Sequence, residues 1–320
     1  MKNIFISGII PEIAYKKLSE QHNVSINRTG KSLSKEKLID EIRGKDALLC
    51  ILSDKIDREV IESNPNLKII ANYGAGFDNI DLNAARENGI IVTNTPLVST
   101  VSTAEFTFAL ILGIARRISE GERIMRTGNF NGWAPMFHLG TELKGKKIGI
   151  IGMGNIGKNV AKIANGFQME VLYHNRSKMS EFEEKQHSAK YRSLEELLKE
   201  SDIVTLHLSY HTSLYHYIGE KQLKLMKKTA FLINAARGPL VDEKALLKVL
   251  KNEEIAGAAL DVFEFEPKIT DGLELLDNVL LTPHIGNATI EARTQMSKVA
   301  ADNILDALEG ITPKNIVKIN

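Results

Sequence analysis

Short runs of β-branched and other apolar residues alternate with amphipathic segments almost from end to end. Residues 4–7, 47–52, 68–72 and 90–93 have the length and composition of buried strands, and residues 34–43 and 57–63 carry helical spacing between them. A second series of strand patterns runs through 147–151, 170–174, 203–208, 230–234, 255–259 and 279–282. Parallel strands need crossover connections, so this alternation predicts α/β architecture, with two parallel sheets in succession, each covered by helices on both faces. Between the two series one long helical pattern extends from about Ser99 to Arg126, followed by the loop Gly128-Asn129-Phe130-Asn131-Gly132-Trp133. A single long helix within 288–310 closes the chain, with Ala292, Met296, Val299, Ala300 and Ile304 as its apolar positions.

The 320 residues, 43% hydrophobic and 25% charged, suffice for about two domains with cores of their own and exclude a disordered or fibrous chain. With 41 Lys+Arg against 40 Asp+Glu the net charge is +1, which offers no basic field to a nucleic-acid backbone. The apolar stretch 106–115 ends at Arg116 and Arg117 and is too short to span a bilayer. The apolar start of the chain is followed closely by Pro11, Glu12 and Lys16, so neither membrane association nor a leader is expected. The lone cysteine, Cys50, sits inside an apolar run, which fits a buried structural thiol and a cytoplasmic location.

Candidate chemistry begins where the strand pattern 147–151 leads into Gly152-Met153-Gly154-Asn155-Ile156-Gly157 and then a helical pattern through Val160, Ile163 and Ala164. Between a strand and a helix, each glycine of such a G-x-G-x-x-G run has a purpose. Gly152 permits the tight turn, Gly154 lets a pyrophosphate approach the backbone, and Gly157 lets helix and strand pack closely. The free N–H groups of the helix start, around Asn155 and Ile156, then meet the phosphates. The same stretch nearly spells a nucleoside-triphosphate loop, G-x-x-x-x-G-K, but Asn159 stands where a Ser or Thr hydroxyl is needed for Mg²⁺. About twenty residues beyond the glycines, an NAD site presents a carboxylate to the ribose 2′-hydroxyl. Here the strand ends in His174-Asn175-Arg176-Ser177-Lys178, with two cations, a hydroxyl and no carboxylate. A 2′-phosphate is paired there and not repelled, so NADP is expected as the preferred cofactor and NAD as the second.

Three later strand patterns are followed by Ala235-Ala236-Arg237, by the run from Asp261 to Glu266, and by Pro283-His284. Residues just past parallel strands line the carboxyl edge of the sheet, where ligands of open α/β folds bind. One Arg, one Glu and one His in such places suit reduction of a 2-oxo acid. The fork of Arg237 holds a carboxylate, His284 passes a proton to the nascent alkoxide, and Glu266 keeps that imidazole charged. The plainer alternative makes Arg237 a core salt-bridge partner of Glu266. His207, His211 and His216 straddle a strand end and a loop, not one helix face, and no H-E-x-x-H occurs, so no metal is expected.

These motifs, joined by the run from Tyr73 to Asp81 and by Thr103-Ala104-Glu105, give the chain a resemblance over essentially its whole length. It resembles the D-isomer-specific 2-hydroxyacid dehydrogenase family. The resemblance implies Arg237, Glu266 and His284 as the catalytic set. It implies a substrate site of Ser53, Tyr73, Gly74, Ala75, Gly76, Arg237 and His284, with backbone N–H groups of 74–76 on the substrate carboxylate. Around the cofactor it implies Thr103, the glycine loop, residues 174–177 (His174, Asn175, Arg176, Ser177), His207, Ser209, Ala235, Arg237 and Asp261, the last on the nicotinamide amide. Ser209 departs from the proline common at its position, which bears on the local ribose and phosphate contacts.

Within the family the chain looks most like the glyoxylate/hydroxypyruvate reductases, with 2-ketogluconate reductases close by, on residues 49–54, Arg176 and residues 283–289. The resemblance also implies two doubly wound, Rossmann/flavodoxin-like domains across a cleft. A discontinuous substrate-binding domain would comprise 1–99 plus 288–320, a dinucleotide-binding domain 100–287, and a homodimer would form with 100–133 at its interface. The expected function is NADPH-preferring reduction of glyoxylate or hydroxypyruvate. Its alternatives are another D-2-hydroxyacid dehydrogenase, such as a 2-ketogluconate reductase, and a nucleotide-sensing, co-repressor-like binding protein. The intact Arg–Glu–His set and the lack of long disordered tails favour an enzyme, and Glu266 in place of a neutral Gln disfavours a formate dehydrogenase.

Overall fold

Five parallel strands open the chain in the computed structural model, which describes residues 1–318. In order come β1 (Asn3–Ile6), α1 (Ile13–Ser19), β2 (Asn23–Ile26), α2 (Lys35–Ile42), β3 (Ala47–Ile51), α3 (Arg58–Glu62), β4 (Ile69–Tyr73), α4 (Leu82–Glu87) and β5 (Ile91–Thr93), the strands lying in the order β2-β1-β3-β4-β5. Two helices follow, α5 (Thr100–Ala115) and α6 (Ile118–Arg126). The second sheet is built from β6 (Lys147–Ile151), α7 (Asn155–Gly166), β7 (Glu170–His174), α8 (Glu181–His187), β8 (Ala189–Tyr191), α9 (Leu194–Glu200), β9 (Ile203–Leu206), α10 (Glu220–Leu223), β10 (Phe231–Asn234), α11 (Glu243–Lys251), β11 (Gly257–Leu260) and β12 (Val279–Leu281). Its seven strands are all parallel, in the order β12-β11-β10-β9-β6-β7-β8. α12 (Ile290–Leu308) follows and packs on the first sheet, and residues after it bridge to β5 at Thr93↔Ile316. Packing gathers the chain into two units, Met1–Ser99 with the segment from Ala288, and Thr100–Asn287.

Alternation with period two sorts each strand's side chains onto two faces, and both faces are buried. In the second sheet Ile148, Ile150, Val171, Tyr173 and Ile233 pack under α5 and α7, while Ile151, Leu172, Val204, Leu206 and Leu232 pack on the other face with Leu197, Leu246 and Leu250. In the first sheet Phe5, Leu48 and Ile70 meet Leu38, Val60 and Ala84, and Ile4, Ile6, Leu49 and Ile69 meet Leu18 and the α12 residues Met296, Ala300 and Ile304. Most helices start at a capping side chain, as where Asp81 accepts the Ala84 N–H at 2.9 Å. Among the described residues no helix is long and apolar enough to cross a membrane.

Three elements differ from the sequence reading. The pattern from Ser99 to Arg126 is not one helix but two, broken at Arg117, whose φ of 53° is left-handed. The returning segment imposes the break: Thr141 N–H donates to the Ala115 carbonyl at 2.7 Å, and the His138 ring meets the Arg117 carbonyl at 2.9 Å. Before the break α5 is largely buried, and beyond it α6 has no fully buried residue. The edge strands β2 and β8 were not anticipated.

Candidate active site

In the second sheet the predicted residues all follow strand ends on one edge, because every strand runs the same way. The glycine loop joins β6 to α7. Gly152 has φ of 100°, and a Cβ there would run into the His207 carbonyl, so only glycine makes this turn. Gly154 is the N-cap of α7 and has no side-chain cap, and nothing lies within 4 Å of where its Cβ would be. The first helical bond is Lys158 N–H to the Gly154 carbonyl, so the N–H groups of the first turn remain open to a ligand. This cradle fits a pyrophosphate.

The end of β7 is fastened to that cradle, since the Asn175 Oδ1 accepts the Met153 N–H at 2.7 Å. His174 Nδ1 meets the Arg192 carbonyl at 3.0 Å, and the Tyr173 hydroxyl accepts the Met179 N–H at 2.8 Å, which closes the loop between them. Arg176 and Ser177 stand exposed at its tip. Lys178 is paired with Glu184 at 3.4 Å, whereas Arg176 has no partner among the described residues. His207 follows β9. Its ring is enclosed, with Nε2 2.9 Å from the Thr205 hydroxyl and Nδ1 without a partner, and burial pushes its pKa down to about 3. A neutral His207 thus backs the glycine turn with its carbonyl. Ser209 is exposed in the loop beyond. Neither His211, which accepts the Ser213 N–H, nor His216, paired with Glu264 at 2.9 Å, joins it.

Arg237 follows β10, where the buried Asn234 braces the turn by accepting the Ala236 N–H at 3.1 Å and donating to the Arg237 carbonyl at 2.9 Å; Ala235 lies half-buried between. Gly238 comes next, and a Cβ on it would overlap the backbone of Phe263 and Glu264. This close approach sets Arg237 against the segment that carries Glu266. The Glu266 carboxylate accepts the Phe263 N–H through Oε1 at 3.0 Å and meets His284 Nδ1 through Oε2 at 2.9 Å. Burial pushes its carboxyl up. The His284 hydrogen bond and charge, the Phe263 N–H and the charge of Arg237 together outweigh burial and hold it below the usual range. His284 has φ of 52°, and its Nε2 has no partner among the described residues.

The turn that presents His284 is held by Asp261, which is 1% exposed. Its Oδ1 accepts from the Thr282 hydroxyl at 2.7 Å and the Ile285 N–H at 2.9 Å, and its Oδ2 from the Gly286 N–H at 2.7 Å. Thr103 of α5 borders Gly286. Sequence reasoning gave no role to the buried Glu243, whose carboxylate accepts the Glu264 N–H at 2.5 Å and the Thr270 hydroxyl at 2.6 Å and so anchors the loop around Glu266. Its one signal was a carboxylate beside the N-cap Asp242 where an apolar helix face begins.

In the first unit, Ser53 is exposed after β3 and meets the Ser32 hydroxyl at 3.0 Å. Tyr73 ends β4 in the core with its hydroxyl on the Arg293 carbonyl at 2.7 Å, and Gly74, Ala75 and Gly76 form the loop after it.

The family model described as "D-isomer specific 2-hydroxyacid dehydrogenase, NAD binding domain" matches residues 108–286. The chain belongs to that family. It is 51% identical over 317 residues to the Staphylococcus haemolyticus protein named "Putative 2-hydroxyacid dehydrogenase SH0752", covering 99% of each chain. Among solved structures it is similar to an NADPH-dependent glyoxylate/hydroxypyruvate reductase of Sinorhizobium meliloti in complex with NADP and malonate (28% identity, TM-score 0.88, 99% of this chain and 96% of that one). It is likewise similar to a D-lactate dehydrogenase of Aquifex aeolicus complexed with NAD and lactic acid (32% identity, TM-score 0.85, 98% of each chain). As a member of the D-isomer-specific 2-hydroxyacid dehydrogenases, the protein is an NAD(P)-dependent oxidoreductase acting on 2-hydroxy acids or their 2-oxo counterparts.

Proposed function

We propose that the protein reduces small 2-oxo acids, glyoxylate and hydroxypyruvate foremost, to 2-hydroxy acids, with NADPH as the preferred hydride donor and NADH as the weaker one. The observation that carries this reading is the His284–Glu266 pair, with Nδ1 held at 2.9 Å and Nε2 left open as a proton donor. When bound, the dihydronicotinamide supplies the hydride that the substrate C2 takes up. Arg237 orients the substrate carboxylate and polarises the carbonyl, His284 protonates the oxygen as it becomes an alkoxide, and Glu266 stabilises the imidazolium before that transfer. Substrate contacts in the first unit come from Ser53 and the backbone of 73–76. Asp261 and Thr103 complete the cofactor site beside the turn that Asp261 braces. The domain roles follow: residues 1–99 plus 288–320 for the substrate, 100–287 for the dinucleotide.

Cofactor preference rests on the unpaired, exposed Arg176 and on a β7 end without a carboxylate. Ile118, Met125, Phe130, Trp133 and Met136 are exposed apolar residues on α6 and the loop after it, which bury little within the chain, and they support a homodimer formed through 100–133.

Initial rates with glyoxylate, hydroxypyruvate, pyruvate and 2-ketogluconate, each with NADPH and NADH, test the proposal. Fast turnover of the two smallest hydroxylated or aldehydic acids with NADPH supports it. Turnover confined to pyruvate or 2-ketogluconate, or a preference for NADH, contradicts it.

A further inference from the structure

All three carbonyls of the loop Gly74-Ala75-Gly76 are tied within their own unit. The Gly74 carbonyl accepts the Thr95 N–H at 2.9 Å, the Ala75 carbonyl accepts from Asn94 Nδ2 at 2.7 Å, and the Gly76 carbonyl accepts from Asn72 Nδ2 at 2.6 Å. A trans peptide is planar, with its N–H antiparallel to its C=O. Pinning a carbonyl therefore aims the next residue's N–H the opposite way. The N–H groups of Ala75 and Gly76 point away from Thr95 and Asn94, and that of Phe77 points away from Asn72. None of the three has an acceptor among the described residues. Successive unpaired N–H groups of this kind receive an anion.

The carboxamide of Asn72 and the backbone of Asn94 are themselves held in place. Asn72 is fully buried on β4, in register with Cys50 on β3, and its Oδ1 accepts from the Cys50 thiol and from Asn79 Nδ2, both at 3.3 Å. With the oxygen so engaged, the Nδ2 end is turned to Gly76. Burial pushes the Cys50 thiol up, so it stays a donor. Asn94 follows β5. Its N–H donates to the Asn315 carbonyl at 3.2 Å, and its carbonyl accepts from the buried Asn303 of α12 at 3.3 Å.

We infer that Asn72 and Asn94 are positioning residues for substrate binding, which do not touch the substrate: Asn94 sets the direction of the Gly76 N–H, one of those that take the substrate carboxylate, and Asn72 holds the carbonyl of the same residue and so fixes the end of that loop. The inference rests on the reading of this loop as the carboxylate site. A carboxylate is equally charged in the ground state and the transition state, so disturbing its cradle weakens both alike and leaves the chemical step alone.

The test uses the full chain with the isosteric exchanges Asn94→Asp and Asn72→Asp, each of which replaces the donor by an acceptor, and Asn94→Ala at the half-exposed position. Calorimetry measures oxamate binding to the NADPH-loaded protein, beside KM and kcat for glyoxylate, the NADPH Kd and the melting temperature. The expected result is an oxamate Kd and a glyoxylate KM about tenfold higher, kcat within about twofold, and an unchanged NADPH Kd. Folded variants that bind oxamate as the wild type does, or that lose kcat at constant KM, overturn the inference, as does a wild type that binds no oxamate. A wild type that binds oxamate but reduces no 2-oxo acid removes the proposed reaction, while equal binding in wild type and variants removes only this inference.

Discussion

Nδ1 of His284 stands 2.9 Å from Oε2 of Glu266, while Oε1 of the same carboxylate accepts the Phe263 N–H. A carboxylate fixed at both oxygens cannot swing away when the imidazole becomes charged. Replacing it by an amide of the same shape removes the charge and keeps the volume.

Glu266→Gln is therefore expected to lower kcat about a hundredfold or more, with little change in KM. The carboxyl of Glu266 is held below its usual range in the folded chain. A depressed carboxylate contributes its stability above the unfolded value, near 4.3, and loses it as pH falls through the folded value. The wild type should keep the pair intact at neutral and mildly acidic pH, and the Gln variant should lose less stability on the acid side, because the share of this one carboxylate is gone. Melting temperatures and kcat/KM from about pH 3 to pH 8 measure both.

Asp261→Asn tests the turn beneath His284. The carboxylate accepts from three donors in a site 1% exposed. An amide can satisfy those donors only in part, because its NH₂ would face an N–H. The expected cost is about 1–3 kcal/mol of stability, read by urea denaturation, together with a fall in kcat from the displaced imidazole.

Arg176→Glu replaces the free cation at the end of β7 by the carboxylate that NAD sites use. KM for NADPH should rise about tenfold to a hundredfold while KM for NADH holds or falls. Steady-state kinetics with the two cofactors decide it, and equal effects on both would contradict the role given to Arg176.

Trp133 is 84% exposed and Met136 79% exposed in the loop after α6. A buried aromatic anchor of an interface is worth about 2 kcal/mol or more. Trp133→Asp should shift the mass seen by sedimentation from dimer toward monomer, with the melting temperature of the isolated chain little altered.

Much of this was legible in the sequence for physical reasons. Strands such as β6 and β9, buried on both faces, read as continuous apolar runs, and Gly152 was identifiable because only glycine takes its backbone angle beside His207. What escaped notice depended on distant chain segments. The edge strands β2 and β8 face solvent in part, so Asn23, Ser25 and Lys190 dilute their apolar pattern. The break at Arg117 is imposed by Thr141 and His138, which periodicity within the helix does not register. Asp261 was singled out, but its three donors lie 21 to 25 residues away on a neighbouring strand end, so its hold on the His284 turn was invisible. Glu243 likewise holds the Glu264 N–H and the Thr270 hydroxyl, 21 and 27 residues further along the chain.

The central claim is that His284 delivers the proton in a 2-oxo acid reduction. The most direct test is glyoxylate turnover by His284→Ala, beside its NADPH affinity measured by cofactor fluorescence. We predict an affinity within about twofold of the wild type and a kcat reduced about a thousandfold. Turnover retained near the wild-type rate, with the cofactor bound equally well, would contradict the account.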